Sequence, residues 1–269
     1  MPQNALVLSP NNSRAAVYDR DAISYFSRAG VTNATAKAQI NAFVKGVKAL
    51  GLWSNLVCWP LRSAQNKGSG TTAYSLGGYS INNGTLSSAG LWGTDGLALV
   101  NSSTFINTGL TLGAYPDSLF VVTRLNTSPG LNTDYIFTAG INSNGRQFAA
   151  ALSGLITSDN LYAARDTWLT FANDSGMFPA NASTLGAGTR YVSWRPQSNT
   201  SLSVTCNNDF ASSTLNGWAA SSAGQIISSA NAAQDFGFYA IIKTQVSNTL
   251  DASFRSLYKT TLGTGLGLP

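Results

Sequence analysis

Apolar positions change their period twice along this chain, near Leu52 and again near Asn248, and the first change divides it. Between Asp19 and Gly51 they recur every three or four residues, whereas beyond Leu52 they fall into short runs broken by Gly, Asn, Ser and Pro. Asp19 or Asp21 offers an N-cap to a first helix, with Ile23 and Phe26 on one face and Gly30 as its stop. Thr32 or Asn33 opens a second, in which Ile40, Phe43, Val44, Val47 and Leu50 form a stripe and Gly51 ends it. Lys37, Lys45 and Lys48 fall off that stripe, and with no large aromatic belt or cationic excess the helix is expected to pack on its own domain rather than lie on a membrane. Beyond it, runs rich in Val, Ile, Phe, Tyr and Trp predict strands at 55–61, 72–76, 96–100, 118–125, 135–139, 146–152, 161–165, 190–195, 201–206 and 236–243. Asn83-Gly84, Asn144-Gly145, Asn216-Gly217 and Asp159-Asn160 supply turn chemistry between them. Near the end, Asn248 can cap a last helix at about 248–260, with Leu250, Phe254, Leu257 and Tyr258 on its buried side and Gly263 as its stop.

The pattern predicts a mainly β protein: an antiparallel sandwich with N-terminal helices and a short C-terminal helix. Its expected division is an extended arm at 1–18, a helical lead-in at 19–52 and a sandwich at 53–269. In the arm, Ala5-Leu6-Val7-Leu8 lies between Pro2 and Pro10, which suits pairing at a sheet edge and forbids a continuing helix. A segment docking on a neighbour and a first strand of the chain's own domain both fit. No period of about 20–50 residues repeats, which argues against a solenoid or propeller.

Composition narrows the chemistry. There is no His, and all eleven acidic residues are Asp. Ser-His-Asp and Cys-His nucleophile arrangements therefore cannot be built, and a two-carboxylate site would need an Asp pair. Cys58 and Cys206 alone cannot assemble a Cys/His zinc site; two free thiols are expected, although the spacing leaves a disulfide open. The expectation is a protein that is not an enzyme and carries no metal or cofactor. Charged residues make up 10% of the chain, against roughly 25% in ordinary soluble proteins, which suits a surface packed against other protein copies. The net charge of +5 reflects few acids, and the Lys and Arg residues are scattered singly, so neither nucleic acid nor a membrane is an expected partner. No apolar stretch approaches the roughly 20 residues of a membrane span. The start at Met1–Pro10 lacks a signal-peptide pattern, so synthesis in a cytoplasm is expected.

Several segments together resemble the concanavalin A-like lectin/glucanase superfamily in its laminin-G-like form, and more narrowly the version found in bacteriophage structural genes. They are the lead-in RAGVTNATAKAQINAFVKGVKALGLWSNL, then WGTDGLALVNSSTFINTGL, DSLFVVTRLN, TRYVSWRPQSNTSLSVTCNN and FGFYAIIKTQVSNTLDASFRSLYKTTL. The resemblance implies a jelly-roll sandwich and a virion structural protein. The particle would be assembled in the host cytoplasm, with this chain on its surface as a capsid decoration or cement protein. Implied partners are the major capsid protein or tail proteins and further copies of the chain. A tail or fibre adhesin recognising host glycans is the alternative. The glucan-hydrolysing branch of that superfamily needs two Glu flanking an Asp, which this chain lacks. Asp95, Asp134, Asp159, Asp166 and Asp174 are available for calcium, yet no dense acidic loop contains them, and turn-capping is their expected role.

For glycan binding, exposed aromatics would stack on sugar rings, oriented by polar side chains. Trp168 and Trp218 fall in polar contexts and are the first candidates, with Trp194 and Arg195 beside them; Trp53 and Trp59 read as core. Burial competes with ligand stacking at each Trp, because the ring contributes a large packing area.

Overall fold

A computed structural model describes residues 17–100, 103–110, 116–125, 133–141, 147–153, 160–164, 188–198, 201–214, 225–228 and 234–269. For residues 125, 133–141, 147–153, 160–164, 202, 209, 211, 213–214 and 225–228 it describes the backbone alone. The first described elements are α1 (Arg20–Ala29) and α2 (Ala34–Ala49), and the last is α3 (Asn248–Thr260). Between them run β1 (Leu56–Pro60), β2 (Thr72–Ala73), β3 (Gly84–Leu86), β4 (Leu97–Leu99), β5 (Phe105–Asn107), β6 (Ser118–Leu125) and β7 (Thr133–Ile141). β8 (Gln147–Ser153), β9 (Asn160–Ala164), β10 (Gly188–Ser198), β11 (Ser201–Cys206), β12 (Asp209–Thr214), β13 (Gln225–Ser228) and β14 (Gln234–Ile242) follow.

The helix ends form where local chemistry dictates. Asp19 accepts from the Asp21 backbone N–H at the start of α1, and Gly30 closes it at φ 65°. Asn33 accepts from the Ala36 N–H to open α2. α3 is capped by Ser247, one residue ahead of the expected Asn248, because the Asn248 side chain is engaged elsewhere. The α1 stripe needs a correction. Tyr25 and Phe26 are buried with Ala22 and Ala29 at spacings of three, four and seven, whereas Ile23 lies off that face and is 51% exposed.

All paired strands are antiparallel and fall into two sheets. One runs β1-β14-β6-β10-β11-β12, with β4 also on β14; the other runs β2-β3-β5-β13-β7-β8-β9. The first sheet is covered on both sides by residues two apart. From β14, Phe236, Tyr239 and Ile241 enter the core shared with the second sheet, while Phe238, Ala240 and Ile242 pack under the helices; a bulge between Phe236 and Phe238 switches the faces. β6 does the same with Leu119 and Val121 inward, Phe120 and Val122 helixward. Double coverage explains why these strands read as unbroken apolar runs. The resulting order is helices, first sheet, second sheet. The 19–52 segment shares its core with α3 and the first sheet.

β3, β5, β12 and β13 are strands that hydrophobic alternation does not announce. β3 and β5 have three residues each, and their pairing (Thr85↔Asn107, Leu86↔Ile106) depends on partners far along the chain. Asn83-Gly84 leads directly into β3: Gly84 pairs with Ala73, and a Cβ there would meet the Ile106 Cδ1 at 2.5 Å. Cys58 and Cys206 are both buried and not joined in a disulfide, one in the helix-side cluster and the other in the inter-sheet cluster.

Candidate functional site

β10 is a central strand, flanked by β6 and β11, and its two faces receive different chemistry. Trp194 points into the inter-sheet core and Arg195 into the layer beneath α3, both at 0% exposure. The expectation that these two side chains meet a sugar from solvent is therefore corrected: both faces of β10 are covered, and neither side chain reaches the surface. Trp168 and Trp218 lie outside the described residues. Trp59 is core, stacked on Tyr239 with centroids 5.4 Å apart, and donates from Nε1 to the Asn82 carbonyl at 2.8 Å. Trp53 and Trp92 are half-buried.

Arg195 instead organises a buried polar knot. Its Nε donates to Ser193 Oγ (3.2 Å), Nη1 to Asn248 Oδ1 (2.8 Å) and the Val246 carbonyl (3.4 Å), and Nη2 to Thr205 Oγ1 (2.8 Å). Asp251 Oδ2 lies 3.5 Å from Nη2, and Asp251 Oδ1 accepts from the Tyr191 hydroxyl at 2.8 Å. Burial, reinforced by the Asp251 charge, pushes the Tyr191 phenol well above its ordinary range. Burial pulls the Arg195 guanidinium down, an effect that Asp251 opposes. Every nitrogen of the guanidinium has an internal partner, so the knot fastens α3 to β10 and β11 and offers no free donor to a ligand. Asp251 was not singled out by the sequence; a lone Asp within the apolar stripe of α3 was the available signal.

The most exposed aromatic character among the described residues lies on the loop between β2 and β3. Tyr79 is 48% exposed and Ile81 65%. The loop is braced from beneath: the Gly78 N–H donates to the Trp53 carbonyl (3.0 Å) and the Tyr79 N–H to the Leu56 carbonyl (3.1 Å). The Asn82 N–H donates to Ser75 Oγ at 2.9 Å, and the Ser75 N–H to Asn83 Oδ1 at 3.1 Å. Asn82 Nδ2 also donates to Ser80 Oγ. Gly77 adopts φ 144°, and a Cβ there would stand 2.1 Å from the Leu56 carbonyl oxygen, so the loop turns at a position that only glycine tolerates. Lys243 Nζ sits 5.9 Å from the Tyr79 ring centroid and pairs with Asp117 Oδ2 at 2.6 Å. Lys48 Nζ lies 5.3 Å from the Trp53 ring. A planar ring held on a braced loop, with the Lys243 ammonium over its face, is suited to contact that combines an apolar surface with polar bonds beside it. The sequence signal for it, Gly77-Gly78-Tyr79 in a loop, is slight.

Asp95, among the acids considered for calcium, is paired with Arg124 Nη1 at 2.6 Å; of Asp134 the backbone alone is described, and Asp159, Asp166 and Asp174 lie outside the described residues. Among the described residues no group of three or more His, Cys or acidic side chains is placed to hold a metal ion. None of the described helices is long and apolar enough to cross a membrane.

No protein-family model matches the sequence, and no curated protein matches it. Solved structures do match. The botulinum neurotoxin serotype D binding domain is similar at TM-score 0.50 and 9% identity, over 77% of this chain and 53% of that one. The serotype D ligand binding domain in complex with N-acetylneuraminic acid gives 0.48 and 10%, over 78% and 52%. The binding domain of Paraclostridial Mosquitocidal Protein 1 gives 0.41 and 12%, over 71% and 47%. This chain thus spans about half the length of the structures it resembles. At such identities the likeness is one of fold: β-rich, largely antiparallel, and found in domains that bind.

Proposed function

We propose that the chain is a non-catalytic contact module, of jelly-roll concanavalin A-like type, carried on the surface of a bacteriophage particle as a decoration or cement protein. The observation that best supports a contact role is the way buried charge is used. Arg195 with Asp251, and Lys243 with Asp117, are partnered within the fold, while Tyr79 and Ile81 face outward from a braced loop. The low charge and the resemblance to phage structural segments support the particle. The fold-level likeness to a toxin binding domain supports a module whose work is contact. On this reading the partners are capsid or tail proteins and further copies of the chain, meeting through broad surfaces.

Fractionation tests the particle assignment. Purified particles are expected to contain the chain at stoichiometric amounts by quantitative mass spectrometry; a chain left wholly in the unassembled fraction defeats it. Incubation with host-surface polysaccharide tests the absence of catalysis, and release of shorter oligosaccharides would refute that part.

Glycan binding is a second reading, favoured by the presented Tyr79 ring. Under it, Tyr79→Ala lowers glycan affinity by about 1–3 kcal/mol, roughly five- to 150-fold, through the lost stacking area, with an unchanged melting temperature. Calorimetric titration of both proteins against a glycan panel measures this. Equal affinities, or no binding by either, remove the Tyr79 site.

A further inference from the structure

Beside α1 lies an open groove of about 460 Å³ whose floor is apolar: Tyr18, Ile23, Phe26 and Val31 line it, with Thr32 and Lys37 at its rim. Ile23, which lies off the buried face of α1, supplies its most exposed apolar wall at 51%. A segment laid over Ile23 would take its exposed half out of water, a favourable change for apolar surface. The described chain starts at the edge of this groove. Val17 is 83% exposed and its carbonyl accepts from Lys45 Nζ at 3.0 Å, while Tyr18 packs edge-on against Phe26 at 5.4 Å.

We propose that the groove is the seat of the chain's own segment Ala5-Leu6-Val7-Leu8, folded back along α1. The proposal is independent of the function proposed above. Three features select this occupant. Reach is sufficient: from Leu8 to Val17 there are nine residues (17 − 8), which span at most about 30 Å, and the ten residues of α1 rise only about 15 Å. The necessary reversal has turn chemistry where it is needed, in Ser9-Pro10-Asn11-Asn12. Polarity also matches. Residues 1–13 carry no charged side chain, and the rim contributes only Lys37, whose Nζ lies over the Phe26 ring at 5.8 Å. The segment therefore brings no charge to be desolvated against the groove floor. Tethering raises its effective concentration to the order of millimolar, so even a weak apolar contact is substantially occupied in its own chain before a second copy competes.

An environment-sensitive fluorophore on Thr32→Cys, at the exposed rim, reads the seat; the native thiols are buried and stay unlabelled. Three labelled proteins are compared: the full chain, the chain lacking residues 2–16, and the full chain with Leu6→Asp and Leu8→Asp. The full chain is expected to emit at shorter wavelength, with both variants shifted to longer wavelength by similar amounts and all three melting alike. The shift should be independent of protein concentration from nanomolar to micromolar. Identical emission from the three proteins overturns the proposal. Emission that shortens only as concentration rises assigns the segment to a second copy and overturns it equally. If a variant melts early, adding a synthetic peptide of residues 1–16 to the truncated chain decides the matter: saturable restoration of the short-wavelength emission supports the seat, and no response refutes it.

Discussion

Arg195 occupies a position where a central, doubly covered strand ordinarily carries a hydrocarbon side chain. Removing its charge from water is costly, and the cost is met by Ser193, Thr205, Asn248, the Val246 carbonyl and Asp251 acting together. The arrangement stabilises less than it specifies: it fixes where α3 lies along β10. Removing one partner leaves the other charge buried and uncompensated. Asp251→Ala is accordingly expected to lower the unfolding free energy by about 3–5 kcal/mol in urea denaturation. Tyr191→Phe, which deletes one hydrogen bond to the same carboxylate, should cost about 1–3 kcal/mol. The double change Arg195→Met with Asp251→Leu should recover most of the single loss. A double variant as unstable as Asp251→Ala alone would show that the knot contributes net stability. None of this was legible at Arg195 itself. A polar residue following Trp194 in a strand reads as outward-facing, and the alternation rule gives the face but cannot tell whether a helix from the far end of the chain lies on it.

At the scale of elements, capped helices were legible because capping is local. Asp19, Asn33, Gly30 and Gly51 each act within a few residues of themselves. Strands β6 and β11 were legible to the residue for different reasons: β6 carries the unbroken apolar run Leu119–Val122, while in β11 Leu202, Val204 and Cys206 alternate strictly with polar residues. β3 and β5 were not, since a three-residue strand exists only through its pairing. α1 carries a titratable consequence of its cap. Lys48 donates to Asp19 at 2.7 Å and pairs with Asp21 at 2.6 Å, tying α1 to α2. The Lys48 hydrogen bond, with the Asp21 N–H, holds the Asp19 carboxyl below its usual 3.8 against the opposing effect of burial. A carboxylate depressed in the folded state stabilises above its unfolded value, and that contribution disappears as pH falls through the lower, folded value. The melting temperature should therefore fall as pH drops below about 4. In Asp19→Asn, which keeps an oxygen to cap α1 but loses the charge, the protein should melt lower at neutral pH and show a shallower acid-side decline. Parallel pH profiles for the two proteins would show that the Asp19–Lys48 pair contributes nothing.

At the scale of the whole molecule, Arg62 reaches from the segment after β1 to the residues that follow α3. Arg62 Nε donates to the Thr94 carbonyl (3.1 Å), and Nη1 to those of Leu262 (3.1 Å) and Thr264 (2.9 Å), while Gln65 Nε2 also donates to Leu262 (2.8 Å). Beyond that clamp, Thr189 Oγ1 donates to the Leu266 carbonyl at 2.5 Å, and Leu262, Leu266 and Leu268 complete the helix-side core. The tail is held by side chains from two separate stretches of sequence, with no ladder of its own, which is the construction expected of a region that opens before the sheets do. Arg62→Ala should cost about 1–3 kcal/mol, since hydrogen bonds from a charged donor are lost at a partly exposed site. Its sharper signature is local: amides of 262–268 should exchange hydrogen faster while β6, β10 and β14 keep their protection. Arg62→Lys should restore little, because an ammonium cannot reproduce a planar fork spanning three carbonyls. Tail exchange that stays at its native rate in both variants would mean that the leucines, with Gln65 and Thr189, hold the end of the tail without Arg62, and that Arg62 is a passenger on a surface already closed.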